Sequence, residues 1–477
     1  MRPESPRHEI TLVAPTEAPF AMLRLGALVL GIMMIGHGLV AEQELSDGAA
    51  SGPERAPVRH LILSLDGVGY ALVEEMVRHG HFAIFHRPAR LIAPFPTLTN
   101  PSFIEILRPL GAPPSAGYED YYYDPLANAM RGGFWHRFRR RTFIEGTFRE
   151  LFDYHPSGLV MTLEYAAPPL SAWLDAQLSL RRAVGKFRRT SDEVFIAYVS
   201  ATDPLAHLGG EGLLRQFLAT LDRKLEQLFL EAEGRIHITV FSDHGNLFAR
   251  YRRAELQEAL RADGFRMGGR LQGERSVVQP RYGLVGCAVF YVADAQEPRV
   301  AEVLAVAPGV DLVAYHRNGM VYVVGPRGRA RIERRGNRYR YLTFTGDPLG
   351  LAPILERLRA EGRMDEAGFV ADADLFAATH AHEYPDALRR LWESLTGYVR
   401  HPASVLVSLE DGYYDGSDIL DLFAILRATH GNLRRAQTEG FVLTTVRELP
   451  EAIRAADLWS ALGLHLESTS RSESRRP

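Results

Sequence analysis

Residues Ile236–Asn246, with the sequence I-H-I-T-V-F-S-D-H-G-N, decide the fold of this chain. The apolar, β-branched run Ile236–Val240 predicts a buried strand of a parallel sheet. That strand ends in an aspartate and a histidine side by side, Asp243 and His244, before a glycine that can turn the chain. In open α/β sheets, ligands bind at the carboxyl ends of the strands. The pair is therefore either part of a metal site or the polar end of an ordinary strand-ending turn.

The length and composition are those of a globular protein. The 477 residues suffice for one large domain with insertions or for two ordinary domains. The hydrophobic content of 46% and the charged content of 24% are both ordinary. The net charge of -3 argues against a nucleic-acid binder, so the basic run Arg137–Arg141 is expected to be solvated surface. Cys287 is the only cysteine, so no intrachain disulfide can form and stability must come from the core.

An apolar segment near the N-terminus, Leu25–Ala41, predicts export from the cytoplasm. It follows Arg24 and ends in Gly-Leu-Val-Ala, which suits cleavage of a signal peptide. It is short for a permanent membrane span and is interrupted by glycines. Residues 1–41 are therefore a predicted signal peptide or N-terminal membrane anchor, and residues 42–57 a linker. The rest of the chain is expected in the periplasm, outside the cell, or anchored facing outward.

Two further predicted strands run into acidic residues. The strand His60–Leu65 ends at Asp66, followed by a glycine and a helical segment, as in a β-turn-α unit. The strand Val194–Val199 is followed by Asp203 and His207. These two residues are four apart, so they share one face if the turn between them is helical, and they can then close on one ion. Taken alone, Asp66 would be a plain turn aspartate.

A threonine-rich loop lies at another strand end. It precedes the apolar segment Phe103–Leu107, which places Thr99 near a helix N-terminus. Backbone N–H groups and the helix dipole favour phosphate there. The alternative is a simple N-cap formed by Thr99 or Asn100.

The predicted fold class is α/β, an αβα sandwich with a mostly parallel central sheet and a smaller hairpin-rich insertion. Short β-type runs separated by Asn-Gly, Arg-Gly and Gly-Asn turns place the insertion at residues 282–349. The core is then divided into residues 58–281 and 350–464. Its second part is expected to contain helices at 352–358 and 449–462 and strands at 405–409 and 441–445. Residues 465–477, rich in Ser, Glu and Arg, predict a disordered tail.

The strand ends together offer three carboxylates, three imidazoles and one hydroxyl: Asp66, Asp203, Asp243, His207, His244, His430 and Thr99. This donor set suits two divalent ions, Zn²⁺ first, with Mn²⁺ or Mg²⁺ as alternatives. A hydroxyl beside such ions becomes a competent nucleophile when coordination lowers its pKa. Paired ions about 4 Å apart can clamp the attacking and leaving oxygens of a phosphoryl transfer.

Five motifs carry a family resemblance: L-S-L-D-G, F-P-T-L-T-N-P-S, D-P-L-A-H, S-D-H-G-N and T-H-G-N-L, between about residues 60 and 445. With them the chain resembles the alkaline phosphatase superfamily, and within it the type I phosphodiesterase/nucleotide pyrophosphatase branch. The resemblance implies one ion held by Asp66, Asp243 and His244, with Thr99 as the nucleophile against it. It implies a second ion held by Asp203, His207 and His430. It also implies a phosphothreonine intermediate, which water activated at the second ion hydrolyses.

The sequence departs from the family pattern at two places, and Asn100 and Asp120 are the candidate substrate-binding residues there. The family loop usually reads T-F-P-N, whereas Asn100 follows Thr99 here. A family asparagine that steadies the phosphate falls near Asp120, where a carboxylate would repel an anionic substrate unless it is protonated or metal-bound. His382 competes with His430 for the second ion. His430 is preferred because His-Gly before a new strand better matches the closing motif of the family.

The resulting hypothesis is a metal-dependent phosphohydrolase that acts on a small phosphodiester or phosphomonoester and on no nucleic-acid polymer. One alternative is a phospho-group transferase that uses the same intermediate. Another is a non-catalytic relative that binds a phosphorylated or glycan ligand. A sulfatase is disfavoured because the Cys- or Ser-x-Pro-x-Arg motif is not found at the Thr99 loop.

Overall fold

The computed structural model of the chain describes residues 58–133, 147–154, 169–423 and 425–466. The predicted signal or anchor segment, the linker, the basic run Arg137–Arg141 and all but the start of the C-terminal tail lie outside these residues. What was expected of them stays a prediction. Nowhere in the described part of the chain does a helix combine the length and the apolarity required to cross a bilayer.

A six-stranded sheet carries the predicted strand ends. Three of its five pairings are parallel and the two made by Glu439–Thr444 are antiparallel. In spatial order the strands are Ala452–Arg454, Ala89–Ile92, Glu439–Thr444, Ile236–Ser242, Arg59–Leu65 and Val194–Val199. Leu65 pairs with both Ser242 and Val199, so the residues that follow these three strands emerge at one edge of the sheet.

Helices cover both faces of this sheet because side chains along each strand alternate between the faces. In the strand Arg59–Leu65, for example, Leu61, Leu63 and Leu65 belong to one apolar cluster, whereas Ile62 belongs to another. The first cluster packs against the helices Tyr70–Arg78, Pro169–Arg189 and Glu211–Glu231. The second packs against Thr99–Leu107, Thr147–Leu151 and Leu458–Leu462. This arrangement confirms the predicted α/β fold class with helical layers around a central sheet.

The second sheet is larger than the predicted insertion. It has nine strands, in the order Val370–Ala371, Arg338–Gly346, Gly328–Arg335, Met320–Gly325, Val310–Arg317, Val405–Leu409, Cys287–Val292, Ser276–Val278 and Arg266–Gly268. The hairpins predicted between residues 310 and 346 are present, with Asn318 and Gly319 both at positive φ in one turn. Val405–Leu409, which we expected in the α/β core, lies in the middle of this sheet, antiparallel to both neighbours. Its apolar run predicts a buried strand but does not specify the partner.

The remaining elements are helices, tight helical turns and short strand pairs. The other helices are Thr202–Pro204, Leu256–Ala262, Glu297–Ala305, Ala352–Ala360, Asp372–Thr379, Ala387–Thr396, Asp418–Phe423 and Arg435–Thr438. Arg108–Leu110 and Ala455–Asp457 are 3₁₀ turns and Leu205–Gly209 is a π-helical turn. The short pairs are Tyr121–Asp124 with Ala129–Gly132, Leu247–Phe248 with Ala428–Thr429, and Arg252–Arg253 with Tyr413–Tyr414.

The helix expected at residues 449–462 is only partly present. Its first part forms the strand Ala452–Arg454, which pairs in parallel with Ala89–Ile92, and the helix proper begins at Leu458. The open edge of the sheet accepts this short strand, so a tertiary pairing overrides the local helical pattern.

Candidate metal centre

Asp66, Asp243 and His244 form the first of two buried clusters at the carboxyl edge of the central sheet. Asp66 and Asp243 each follow the last residue of a strand, and these last residues, Leu65 and Ser242, are paired. One ligand atom from each of the three side chains lies within 4.8 Å of the others. His244 Nε2 is 3.5 Å from Asp66 Oδ1 and 3.5 Å from Asp243 Oδ2. The register of the parallel strands therefore brings these three side chains together.

The second cluster comprises Asp203, His207 and His430, whose ligand atoms also lie within 4.8 Å of one another. A short helical turn and the π-helical turn after it place Asp203 and His207 on the same side, with Asp203 Oδ1 3.0 Å from His207 Nε2. His430 Nε2 is 3.5 Å from the same carboxylate oxygen. His430 comes from the segment leading into the antiparallel strand Glu439–Thr444, which begins at this edge of the sheet.

The two clusters lie side by side. The imidazoles of His244 and His430, one from each cluster, stack with ring centroids 4.0 Å apart and an angle of 25° between their planes. Gly67 fits between the clusters: a Cβ at this position would lie 2.7 Å from Asp203 Oδ1 and 3.2 Å from His244 Cε1. Its φ of +60° is also a conformation that side chains rarely adopt. The close approach of the clusters thus requires glycine at this position.

Thr99 lies against the first cluster. It is the first residue of the helix Thr99–Leu107, and its Oγ1 is 3.3 Å from Asp66 Oδ1 and 3.4 Å from His244 Nε2. The hydroxyl donates to the aspartate oxygen. The structure therefore brings together all seven of the residues that the sequence placed at strand ends.

Both stacked imidazoles are held by their other ring nitrogen. His244 Nδ1 is 2.9 Å from the Gly245 carbonyl oxygen, and His430 Nδ1 is 2.7 Å from the Thr97 carbonyl oxygen. A carbonyl can only accept, so Nδ1 carries the proton in each ring and the Nε2 lone pair faces the carboxylates. This arrangement is the one that metal-ligating histidines use.

Burial sets the protonation of the centre. It raises the pKa of Asp66 and of Asp243 well above the ordinary range, and the neighbouring carboxylates raise both further. Burial lowers the pKa of His244, and it lowers that of His430 to about 3. Burial alone would raise the pKa of Asp203, but the imidazoles of His207, His430 and His244 together outweigh it and the pKa is lowered. A divalent cation requires neutral imidazoles and ionised carboxylates, and its charge would offset the repulsion between the carboxylates of Asp66 and Asp243.

An unsatisfied buried oxygen indicates that these residues fit divalent ions. Asp243 Oδ2 is buried, and within the described ranges no hydrogen bond to it is found. Buried polar atoms are normally satisfied, and ligation of a cation would satisfy this oxygen. Mixed imidazole and carboxylate donors are typical of Zn²⁺ sites. The six side chains could hold two such ions.

The other sequence candidates lie as follows. Asn100 is buried in the second position of the helix Thr99–Leu107, and its Oδ1 has no hydrogen-bond partner among the described residues. Asp120 precedes the strand Tyr121–Asp124, and its carbonyl accepts a hydrogen bond from Gly133 N–H at 3.2 Å. The substrate-binding roles of both stay predictions. His382 lies beside Tyr384, whose backbone N–H donates to its Nδ1.

Tyr198 contacts the centre and was missed from the sequence. It is buried in the strand Val194–Val199, and its hydroxyl donates to Asp66 Oδ2 at 2.5 Å. Asp66 is thus held on one oxygen by Tyr198 while its other oxygen faces Thr99 and His244. The one signal in the sequence is a hydroxyl-bearing side chain near the end of an otherwise apolar strand.

The similarity of this chain to known proteins is structural and of low sequence identity. No protein-family model matches the chain, and a search of curated proteins finds no significant match. Among solved structures, human ectonucleotide pyrophosphatase/phosphodiesterase 5 is similar, with 14% identity and a TM-score of 0.46, over 85% of this chain and 95% of that one. Phosphonoacetate hydrolase from Sinorhizobium meliloti in complex with phosphonoacetate has 14% identity and a TM-score of 0.48, over 86% and 96%.

A murine ectonucleotide pyrophosphatase/phosphodiesterase 5, in an inactive form in complex with AMP, is also similar, with 13% identity and a TM-score of 0.42. It is matched over 86% of this chain and 96% of that one. At these identities the activity has to be argued from the site itself.

Proposed function

We propose that this protein is a metal-dependent phosphoric ester hydrolase in which Thr99 is the nucleophile. The carrying observation is that a single hydroxyl, Thr99 Oγ1, lies within 3.4 Å of both Asp66 and His244, with the Asp203, His207 and His430 cluster stacked alongside. Two divalent ions would be held, one in each cluster. Zn²⁺ suits the imidazole and carboxylate donors best, with Mn²⁺ or Mg²⁺ as alternatives.

The chemistry follows from the position of the threonine. Its hydroxyl already donates to Asp66 Oδ1, so the proton has an acceptor as the oxygen attacks phosphorus. The new oxygen–phosphorus bond forms as the bond to the leaving oxygen breaks, which leaves a phosphothreonine and an alcohol. Water then attacks the same phosphorus, and Thr99 regains its proton. A monoester substrate thereby releases phosphate, and a diester substrate releases a phosphomonoester. Bound ions would supply positive charge against the phosphoryl oxygens and lower the pKa of the attacking hydroxyl.

The helix that begins at Thr99 supports an anionic substrate. The peptide dipoles of Thr99–Leu107 place partial positive charge at its N-terminus, where the hydroxyl lies. The substrate we propose is a small phosphodiester or phosphomonoester. The apolar segment near the N-terminus supports a location outside the cytoplasm, either released or anchored.

The test compares Thr99→Ala with the unaltered protein. The purified protein is expected to bind about two equivalents of Zn²⁺ and to cleave a nitrophenyl phosphodiester or phosphomonoester. Thr99→Ala should reduce turnover by about 10⁴-fold or more, as loss of a nucleophile does, while it still binds both ions. Turnover by Thr99→Ala within tenfold of the unaltered protein would refute the role of the hydroxyl.

Ser102→Ala is the matched control. Ser102 lies in the same helix and is fully buried, and its hydroxyl has no hydrogen-bond partner among the described residues. Removal of that hydroxyl tests whether any change in the helix lowers turnover. We expect turnover within about twofold of the unaltered protein, since the substitution removes no partner from another group.

A further inference from the structure

Arg390 is a buried cation outside the two clusters. It lies in the helix Ala387–Thr396 with 2% of its surface exposed, and it is the largest of the fully buried side chains in the described ranges. Burial lowers its pKa to about 10, so the guanidinium remains charged at neutral pH. Burial of a charge is unfavourable unless its surroundings compensate. The groups that surround this guanidinium therefore indicate its role.

Its hydrogen bonds go to carbonyls and hydroxyls. Nη1 donates to the carbonyls of Pro385 and Leu433, at 3.0 Å each. Nη2 donates to the hydroxyls of Thr438 and Thr97, at 2.8 and 3.2 Å, and to the carbonyl of Pro94 at 3.3 Å. Apart from Pro385, which is near Arg390 in sequence, these acceptors belong to two segments, residues 94–97 and 433–438. The guanidinium bridges these two segments.

The two segments carry parts of the metal centre. The first leads into Thr99, and the second follows His430 after two residues, Gly431 and Asn432. They meet at Thr97: its N–H donates to Gly431 O at 3.1 Å and its hydroxyl donates to Asn432 O at 2.7 Å. Its carbonyl accepts a hydrogen bond from His430 Nδ1 at 2.7 Å. Arg390 thus bonds to the residue that orients the imidazole of the second cluster.

We propose that Arg390 is a positioning residue that fixes the Thr97 loop against His430 and so sets the affinity of the second cluster for its ion. This inference rests on the proposed function, in which Asp203, His207 and His430 hold an ion. The guanidinium suits the role because its planar fork reaches both segments at once. A lysine ammonium is a single point charge and would satisfy one segment and leave the other unpaired.

Arg390→Lys tests the inference, with Arg454→Lys as the matched control. Arg454 is also buried, but it bonds to Asp372 and to Asp386, the residue that precedes the same helix. Arg454→Lys therefore perturbs the anchorage of the helix without touching the Thr97 loop. Zn²⁺ is titrated into the metal-free proteins, and thermal unfolding of the metal-free forms is measured beside it.

We expect Arg390→Lys to weaken one of the two Zn²⁺ affinities by about tenfold, the low end of what loss of a ligand's outer partners costs. The other affinity should stay within about twofold. Arg454→Lys should lower the unfolding temperature and leave both affinities within about twofold.

Two results would overturn the inference while the unaltered protein still binds two ions. One is that both Zn²⁺ affinities of Arg390→Lys stay within twofold of the unaltered protein. The other is that Arg454→Lys weakens Zn²⁺ binding as much as Arg390→Lys does, which would make the effect one of general stability. If the unaltered protein binds no ion, the proposed function fails first and the inference fails with it.

Thr97→Val decides the question if Arg390→Lys does not fold. It removes the hydroxyl to which Arg390 donates but keeps the carbonyl that accepts from His430 Nδ1. We expect it to weaken the same Zn²⁺ affinity by about tenfold, through the same loss of outer support. Unchanged affinities in Thr97→Val would refute the role of Arg390 in positioning the loop.

Discussion

The two clusters of the centre have the same number of ligands but different donor sets. Asp66, Asp243 and His244 provide two carboxylates and one imidazole, while Asp203, His207 and His430 provide one carboxylate and two imidazoles. Burial and mutual repulsion raise the pKa values of the two carboxylates in the first cluster. In the second, the surrounding imidazoles together outweigh the effect of burial and lower the pKa of the single carboxylate.

This difference shows which cluster depends more on a cation. The first cluster, next to the Thr99 hydroxyl, has excess negative charge that only protons or a bound cation can balance. The second has a carboxylate already paired with His207 Nε2 at 3.0 Å. We infer that the protonation of the first cluster depends more on metal binding than that of the second.

The largest expected effect is on turnover. Asp243→Asn should lose one of two Zn²⁺ equivalents and lower turnover by about 10³-fold or more, because an ion beside the nucleophile supplies several kcal/mol of charge stabilisation. His430→Gln should also lose one equivalent, with a smaller loss of turnover. Metal content and nitrophenyl ester cleavage measure both. If either variant retains two tightly bound equivalents, its residue is not a ligand.

The next effect is on the stability of the metal-free protein. Removal of a carboxylate should change the free energy of unfolding with opposite sign in the two clusters. Asp243→Asn should raise the free energy of unfolding at pH 7 by about 1–2 kcal/mol, because it removes a buried carboxylate repelled by its neighbours. Asp203→Asn should lower that free energy by a similar amount, because it removes the partner of His207. Urea unfolding in the presence of a chelator measures both. Shifts of the same sign would contradict the charge difference.

The sign follows from linkage. Asp66 and Asp243 have folded-state pKa values above the unfolded value of 3.8. The folded state therefore holds protons that the unfolded state has lost, and stability falls as pH rises above about 4. The folded-state pKa of Asp203 is lower than 3.8, so its contribution is present at neutral pH and is lost only in strong acid.

The strand ends of the centre could be predicted because each combines a local signal with a rule about sheets. Apolar runs predict the strands, and Asp66 and Asp243 follow them directly in the sequence. The carboxyl ends of parallel strands share one edge, so the residues meet without any knowledge of distant contacts. His430 needed more: it precedes an antiparallel strand, and it was the family resemblance that favoured it over His382.

What could not be predicted depends on partners far away in sequence. Tyr198 bonds to a residue 132 positions away, and Arg390 to one 293 positions away. In a helix with arginines at successive positions, nothing local marks Arg390 as buried rather than solvated. Pairing with strands that are distant in sequence likewise decides where Val405–Leu409 lies in the second sheet. It also decides that Ala452–Arg454 forms a strand.

The smallest effect is a difference in pH dependence that isolates the second cluster. Burial lowers the pKa of His430 from 6.5 to about 3 in the folded protein. The unfolded state therefore binds a proton below about pH 6.5 that the folded state does not, and stability is lost as pH falls towards 3. One proton corresponds to about 1.4 kcal/mol for each pH unit. Between pH 7 and pH 5, metal-free His430→Gln should gain about 2 kcal/mol relative to the unaltered protein.

The contribution of Asp66 and Asp243 to the pH dependence cancels in this comparison, because both carboxylates are present in the unaltered protein and in His430→Gln. Urea unfolding at pH 7, 6 and 5 with a chelator gives the two slopes. His79→Gln is the control: His79 is exposed, so its loss should leave the slope of the unaltered protein unchanged. Parallel slopes for His430→Gln and the unaltered protein would mean that His430 stays accessible to protons in the folded state. His430 would then not be a buried ligand. The two clusters would differ only in the number and protonation of their carboxylates.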